Sequence, residues 1–207
     1  MEVRLLTKDT SFELYKAMNG ARTCYQSYDY SDNMGEKDMG LLKKLVKLGH
    51  HSVLESCVLT FKLEGYSRSV LQELSRHRIA SPSVQSTRYT IGKMVDDYSF
   101  REYDKYFVEV DELVDAINKQ NVERIIGILR EQKIEGEKLE NDKIKYLFPE
   151  ALKVNSQLTI NLRSLMNFFK QRLSPHALWE IRELAQQMYD TLPKTYTELI
   201  DIYLKEC

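Results

Sequence analysis

The segment RHRIASPSVQSTRY, residues 76–89, concentrates side chains that could bind an anion. Arg76, Arg78 and Arg88 repel one another there, and the sequence offers no acid between residues 74 and 94 to neutralise them. Arginine can grip a phosphate through two parallel hydrogen bonds, and the hydroxyl and main-chain N–H donors of a bent loop would strengthen that grip. The segment therefore predicts a phosphate site built without the glycines of a P-loop.

A purely structural explanation of the same arginines stays open. Cations near the C-terminal end of a helix over residues 67–76 would stabilise that helix through its dipole by about 0.3–1 kcal/mol. Glu73 or Glu64 could pair with them. This alternative needs no ligand.

Composition and cysteine content narrow the class of protein. The 207 residues suit a single domain over 1–207, and the formal net charge of -1 argues against a generally basic nucleic-acid binder.

Cys24, Cys57 and Cys207 form no CxxC pair or zinc-ligand spacing, so we expect no metal site and a reducing compartment, the cytoplasm. No apolar run approaches the ~20 residues of a membrane span. The glycine fingerprint of dinucleotide-binding folds does not occur either.

The elements that must position the cationic segment follow from hydrophobic periodicity. Strands are predicted at 2–6, 57–64, 88–91, 95–100 and 152–162, and helices at 11–25, 39–48, 67–76, 164–172, 174–192 and 196–204. Residues 79–87 lack either period and contain Pro82, so we expect a loop there. Residues 110–145 are highly charged and helical in period, which predicts a peripheral helical insertion. The sum is a helix-rich α+β fold.

Three motifs can be read along the chain: GHHSVLE at residues 49–55, RHRIASPSVQSTRY at 76–89, and NLRSLMNFFKQR at 161–172 followed by HALWE at 176–180. In order and in spacing, they resemble the signature of the flavin-dependent thymidylate synthases. The resemblance covers residues 49–180 and implies a mixed or antiparallel sheet flanked by helices. It also implies a homotetramer that holds its ligands at subunit interfaces.

The activity that this resemblance implies is the reductive methylation of dUMP to dTMP. The carbon would come from 5,10-methylenetetrahydrofolate and the hydride from FAD that NADPH has reduced, with no enzyme cysteine as nucleophile. The implied partners are dUMP, the folate and NADPH, with no nucleic acid and no membrane.

The matched motif positions imply which residues contact FAD. These residues are His50, Ser52, Arg76, His77, Arg78, Asn161, Arg163 and Asn167. Arg163 and Asn167 are four residues apart and would share one helix face. A fixed cation beside a flavin favours the reduced, anionic form, which gives the arginines a chemical use. For two positions a structural role stays open, because Ser52 could cap a helix or turn and His50 could be a core histidine.

The same matching implies the contacts to dUMP. These residues are Glu73, Arg76, Gln85, Ser86, Thr87, Arg88, Lys145 and Arg172. Glu73 stands where the family often has Gln, so its neighbour Gln72 stays open as the alternative. Arg172 is the implied catalytic residue: its permanent charge beside the uracil would lower the pKa of N3 and raise the electron density at C5, the carbon that attacks the methylene group. A cation at a helix C-terminus is the alternative for Arg172. Ser86 is not expected to be a nucleophile, because no acid–base pair is evident to activate it.

Departures from the family pattern support rival hypotheses. Val84 stands where many members have Glu, Ser56 replaces a His, and Lys145 keeps the charge of an Arg but loses its planar fork. A second hypothesis is therefore a flavin- or nucleotide-binding protein that has lost methyl transfer. A third, an RNA-binding module using residues 76–88, lacks interleaved aromatic side chains.

Overall fold

The computed structural model describes residues 1–138 and 140–206, and of Phe100 the main chain only; Cys207 lies outside the described residues. The chain divides into two compact units. The first unit comprises Met1–Leu63, Ser75–Ser83 and the residues from Gln157 onward, and the second comprises Glu64–Leu74 and Val84–Ser156.

The strands are β1 Glu2–Leu5, β2 Val58–Ser67, β3 Ala80–Val84 and β4 Lys153–Asn161. They form a small antiparallel sheet in the order β1-β2-β4-β3. Alternate residues of β2, namely Leu59, Phe61 and Leu63, are fully buried, as their period of two predicts. The α+β fold class and the strands predicted at 2–6, 57–64 and 152–162 are confirmed.

The helices, numbered in chain order, are α1 Thr10–Cys24, α2 Glu36–Lys47, α3 Arg68–Ser75, α4 Thr87–Asp97, α5 Tyr103–Tyr106, α6 Glu112–Ile134, α7 Asn141–Ile144, α8 Leu162–Arg172, α9 Trp179–Asp190 and α10 Lys194–Glu206. A 3-10 turn at His51–Ser56 precedes β2, and another at Lys145–Leu147 follows α7. The helices predicted at 11–25, 39–48, 67–76, 164–172 and 196–204 are confirmed, with ends that differ by at most three residues.

Two predictions for the cationic segment are wrong. Residues 80–84 form the edge strand β3 and not a loop, and every residue of β3 after Ala80 is exposed. A strand without a buried face has no alternation to detect, and an edge position tolerates Pro82. No strand forms at 88–91 or 95–100: residues up to Asp97 belong to α4, whose buried residues Ile91, Met94 and Val95 follow helical spacing, and a 3-10 turn follows at Phe100–Glu102.

The helix predicted at 174–192 begins late, at Trp179. Residues 173–178 form a turn in which the Ala177 N–H donates to the Ser174 carbonyl at 3.0 Å. Ser174 and Pro175 therefore open a turn and do not cap a helix.

A buried ion pair joins α1 to α2 in the first unit. The Arg22 guanidinium donates to Oδ1 of Asp38 at 2.6 Å, while Ser31 Oγ donates to Oδ2 at 2.7 Å. The Asp38 side chain is 1% exposed. Burial opposes ionisation of Asp38, but the hydrogen bonds from Ser31, Arg22 and the Met34 N–H outweigh it and lower its pKa to about 2.

The second unit has a hydrophobic core of its own. Helix α6 contributes Val122, Ile126 and Leu129 to this core, and aromatic side chains such as Phe107 and Phe148 complete it. The helical period of residues 112–134 is confirmed. That this region is a peripheral insertion stays a prediction.

Candidate functional site

The first unit contains a cleft of about 520 Å³, here called the arginine cleft. The residues that line it are His51, Arg76, His77, Arg78, Ile79, Arg163, Ser164, Asn167, Gln171 and Tyr203. Three of them are arginines, and none of these described lining residues is an acid. An anionic ligand therefore matches the charge of this cleft.

Helix α8 presents one face to the arginine cleft. Asn161 caps this helix, because its Oδ1 accepts the N–H of Ser164 at 2.8 Å. Arg163, Asn167 and Gln171 follow at intervals of four residues and all line the cleft, as the spacing of the first two predicts. Asn161 itself does not belong to the lining, so its observed role is to cap the helix that carries the others.

The RHR motif contributes three further residues to the lining. Arg76 and Arg78 are exposed, whereas His77 is half-buried and packs edge-on against Phe168, with ring centroids 5.0 Å apart. Arg172, the last residue of α8, donates its Nε–H to Nε2 of His77 at 3.0 Å. The accepting nitrogen carries no proton, so the His77 ring is neutral in this arrangement.

The upstream motif reaches the cleft through His51. Its Nε2–H donates to the carbonyl of Val46 at 2.9 Å, and its ring packs edge-on against Tyr203 at 5.2 Å. His50 and Ser52, the predicted FAD contacts of this motif, are exposed and lie outside the lining. Glu55 of the same motif forms an ion pair with Arg163.

Several residues of the arginine cleft were missed in the sequence. Gln171 continues the four-residue spacing of Arg163 and Asn167, and its amide donates to Oδ1 of Asn167 at 3.3 Å, so periodicity could have found it. Tyr203 lies on α10, and no local pattern marks it.

The second unit contains a cleft of about 450 Å³, here called the lysine cleft. The residues that line it are Gly65, Gln85, Thr87, Thr90, Ile91, Lys93, Met94, Asp97, Lys105, Tyr106, Leu152, Lys153 and Asn155. Gln85 and Thr87, two predicted dUMP contacts, belong to this lining. Ser86 is the residue before α4 and does not cap it through its side chain.

Arg88 stands in the first turn of α4 and is held by α7. Its Nε lies 2.5 Å from Oδ1 of Asp142, and its carbonyl accepts the Asn141 amide at 2.7 Å. The Arg88 side chain is 57% exposed, so its guanidinium remains accessible to a ligand.

The remaining predicted dUMP contacts of the second unit lie outside the lysine cleft. Glu73 is half-buried on α3. The Lys145 ammonium lies 5.3 Å from the centroid of the Tyr146 ring, a cation–π contact. Neither residue lines the cleft.

The described cysteines offer no ready nucleophile. Cys57 is fully buried, its Sγ lies 3.6 Å from the Tyr196 hydroxyl, and burial raises its pKa to about 12. Cys24 is exposed at the end of α1 and lines neither cleft. Within residues 1–138 and 140–206, no group of three or more His, Cys, Asp or Glu side chains could hold a metal ion. Over the same residues no helix is long and apolar enough to cross a membrane.

The chain is similar to known proteins over nearly its whole length. The family model described as "Thymidylate synthase complementing protein" matches residues 5–196. A flavin-dependent thymidylate synthase of Wolinella succinogenes is 42% identical over 184 residues, which cover 86% of this chain and 88% of that protein. A flavin-dependent thymidylate synthase of Helicobacter pylori is 39% identical over 199 residues, which cover 91% of this chain and 93% of that protein.

A solved structure supports the same relationship. The crystal structure of thymidylate synthase X from Helicobacter pylori with FAD and dUMP matches with a TM-score of 0.88 and 36% identity. The match covers 99% of this chain and 100% of the other.

Proposed function

Because this chain belongs to the flavin-dependent thymidylate synthase family, we propose that it converts dUMP to dTMP. Methylenetetrahydrofolate would supply the carbon, and NADPH would reduce the FAD. The observation that carries the proposal is that five predicted FAD contacts meet in one cleft: Arg76, His77, Arg78, Arg163 and Asn167.

The residues of the arginine cleft fit FAD. Three guanidinium groups match a diphosphate, and the same cations favour a reduced flavin, which is an anion. FAD, when bound, supplies the hydride of the reaction. We assign Arg76, Arg78 and Arg163 to binding its negative charge and Asn167 to a hydrogen bond. His50, Ser52 and Asn161 remain proposed FAD contacts from the motif match, although they lie outside the lining.

For dUMP we propose the segment that runs into α4. Ser86, Thr87 and Arg88 begin this helix, where the helix dipole favours a phosphate. Gln85 precedes them and also lines the lysine cleft. Arg76, Glu73 and Lys145 complete the proposed dUMP contacts.

Arg172 is the proposed catalytic residue. Its guanidinium is charged at any working pH and would stabilise the uracil with N3 deprotonated, which raises the electron density at C5. C5 then attacks the methylene carbon without a covalent bond to the enzyme. The burial and high pKa of Cys57 support a reaction without a thiolate.

Three further proposals concern the domain organisation, the assembly and the cellular compartment. We propose that the chain acts as one catalytic domain, because a single family match covers residues 5–196. The active form would be a homotetramer. The lack of any cysteine pair spaced for a disulfide framework or metal site favours the cytoplasm.

The test is formation of dTMP from dUMP, methylenetetrahydrofolate, NADPH and FAD by the purified protein. We expect a yellow protein that binds FAD and forms dTMP. Binding of FAD and dUMP without dTMP would instead favour a protein that has lost methyl transfer, a reading that the absence of a carboxylate at Val84 supports. If the protein binds neither FAD nor dUMP, both proposed functions are refuted.

A further inference from the structure

The lysine cleft carries more positive charge than the proposed dUMP contacts explain. Its lining contains Lys93, Lys105 and Lys153, while the single acid among the described lining residues is Asp97. Ammonium groups that share a cleft repel one another, and a bound anion relieves that repulsion.

The three ammonium groups differ in how they are engaged. Lys153 donates to the carbonyl of Asp104, which fixes its position and leaves two of its three N–H donors. Lys105 lies 3.6 Å from Glu102 and 5.1 Å from the centroid of the Tyr106 ring. Lys93 has no carboxylate within 4 Å in the part of the chain that the structure describes. An anion would therefore meet one fixed and one unpaired ammonium.

The rest of the cleft suits the body of an organic ligand. Ile91, Met94 and Leu152 are at most 5% exposed and give the cleft an apolar base. Asn155 accepts the Gly65 N–H at Oδ1 across 2.8 Å, which directs the acceptor of its amide to the main chain and leaves the NH2 group as a donor. Apolar surface beside convergent polar groups is typical of a small-molecule site.

We propose that the lysine cleft binds the carboxylate or phosphate of an organic ligand whose apolar part lies against Ile91, Met94 and Leu152. The inference rests on the proposed function, because it assigns a co-substrate of that reaction to a cleft that the proposed dUMP contacts Gln85 and Thr87 also line. A pteridine carrying a glutamyl carboxylate and a nicotinamide nucleotide carrying phosphates both have this chemistry, so the experiment has one arm for each.

Two variants test the proposal: one lowers the positive charge of the lysine cleft and the other lowers its negative charge. Lys93→Gln/Lys153→Gln removes the two cations that an anion would contact, and Asp97→Asn removes the acid of the same lining. Lys47→Gln/Lys194→Gln is the matched control, because both of these side chains are well exposed and neither lines a cleft. Anaerobic titration calorimetry measures the affinity for methylenetetrahydrofolate, NADPH and dUMP separately in the full-length protein with FAD.

We expect one of the first two probes to bind about tenfold or more weakly to the double Lys variant, and several-fold more tightly to Asp97→Asn. The control should bind it as the unchanged protein does. A loss confined to dUMP would overturn the second-ligand proposal and assign the lysines to dUMP. Affinities within twofold for all three probes would also overturn it.

If the double variant melts at a lower temperature than the unchanged protein, the single variant Lys93→Gln is tested instead. The Lys93 side chain is exposed and has no ion pair to lose, so this substitution should not affect folding. The same criteria then apply to the single variant. Formation of dTMP by the unchanged protein is measured independently, so failure of this proposal and failure of the proposed function are distinguishable.

Discussion

Arg172 and His77 are joined by a hydrogen bond of 3.0 Å from Nε to Nε2, although 95 residues separate them in the chain. The bond connects the proposed catalytic guanidinium to the RHR motif. Phe168 packs against the same imidazole and limits the ways in which its ring can turn. His77 is therefore a positioning residue for Arg172 as well as part of the arginine cleft.

The first prediction concerns His77. His77→Ala should lower the kcat of dTMP formation about tenfold through loss of the acceptor that orients Arg172, while the KM for dUMP changes less. His77→Gln should restore part of the loss, because its side-chain carbonyl can accept the same N–H. Lys205→Ala is the control, since Lys205 is exposed, lines neither cleft and lies outside the matched motifs. An equal loss in the Ala and Gln variants would contradict the positioning role.

The second prediction concerns Arg172 itself. Arg172→Ala should retain FAD, seen as the flavin absorbance of the purified protein, but lose about 100-fold or more in turnover. Arg172→Lys should recover little, because an ammonium keeps the charge without the planar fork. Arg101→Ala, an exposed arginine outside both clefts, should behave as the unchanged protein. Unchanged turnover of Arg172→Ala would remove Arg172 from its proposed role.

The third prediction concerns the contact between Arg88 and Asp142. Both side chains are more than half exposed, and an exposed ion pair contributes about 1 kcal/mol or less to stability. Asp142→Asn should therefore leave the melting temperature almost unchanged. It should tighten dUMP binding by up to about fivefold, because the carboxylate no longer competes with the phosphate for the guanidinium.

A substitution of Arg88 tests the same contact, because it removes the guanidinium instead of the carboxylate. Arg88→Ala should weaken dUMP binding about tenfold or more in equilibrium titration. Weaker dUMP binding in Asp142→Asn would show that Asp142 positions Arg88 and does not compete for it.

The fourth prediction concerns the cysteines. Cys24→Ala and Cys57→Ala should both retain turnover per folded molecule, because the reaction is proposed to need no thiolate. Cys57→Ala should melt at a lower temperature, since it leaves a small cavity in the buried core. The assay is turnover normalised to bound FAD. A loss of turnover in folded Cys57→Ala would contradict this prediction and support a cysteine thiolate as the nucleophile.

Local periodicity predicted the parts of the site that one helix carries, and it failed where chain segments distant in sequence meet. Arg163 and Asn167 line the arginine cleft as their spacing indicates. The exposed edge strand β3 leaves no buried face, so the sequence pattern around Pro82 could not reveal it. His51 lines the cleft in place of its neighbour His50, because the turn after Gly49, where φ is +78°, decides which of the two side chains points inward.

The fifth prediction concerns stability at low pH. Asp38 has a folded-state pKa lowered from 3.8 to about 2, so its ion pair with Arg22 contributes fully to stability above about pH 4. As the pH falls from about 4 to about 2, Asp38 becomes protonated and about 2 kcal/mol of stability is lost. Asp38→Asn should flatten the acid limb of unfolding free energy measured in urea, and it should be less stable at pH 7.

Glu198→Gln is the matched control for this experiment. The Glu198 carboxylate pairs with Lys43 at 2.7 Å and its pKa is lowered too, but its side chain is 38% exposed. Solvent screens such a pair, so this substitution should change the acid limb little. If the two variants unfold with the same pH dependence as the unchanged protein, burial of the Arg22–Asp38 pair does not govern acid stability.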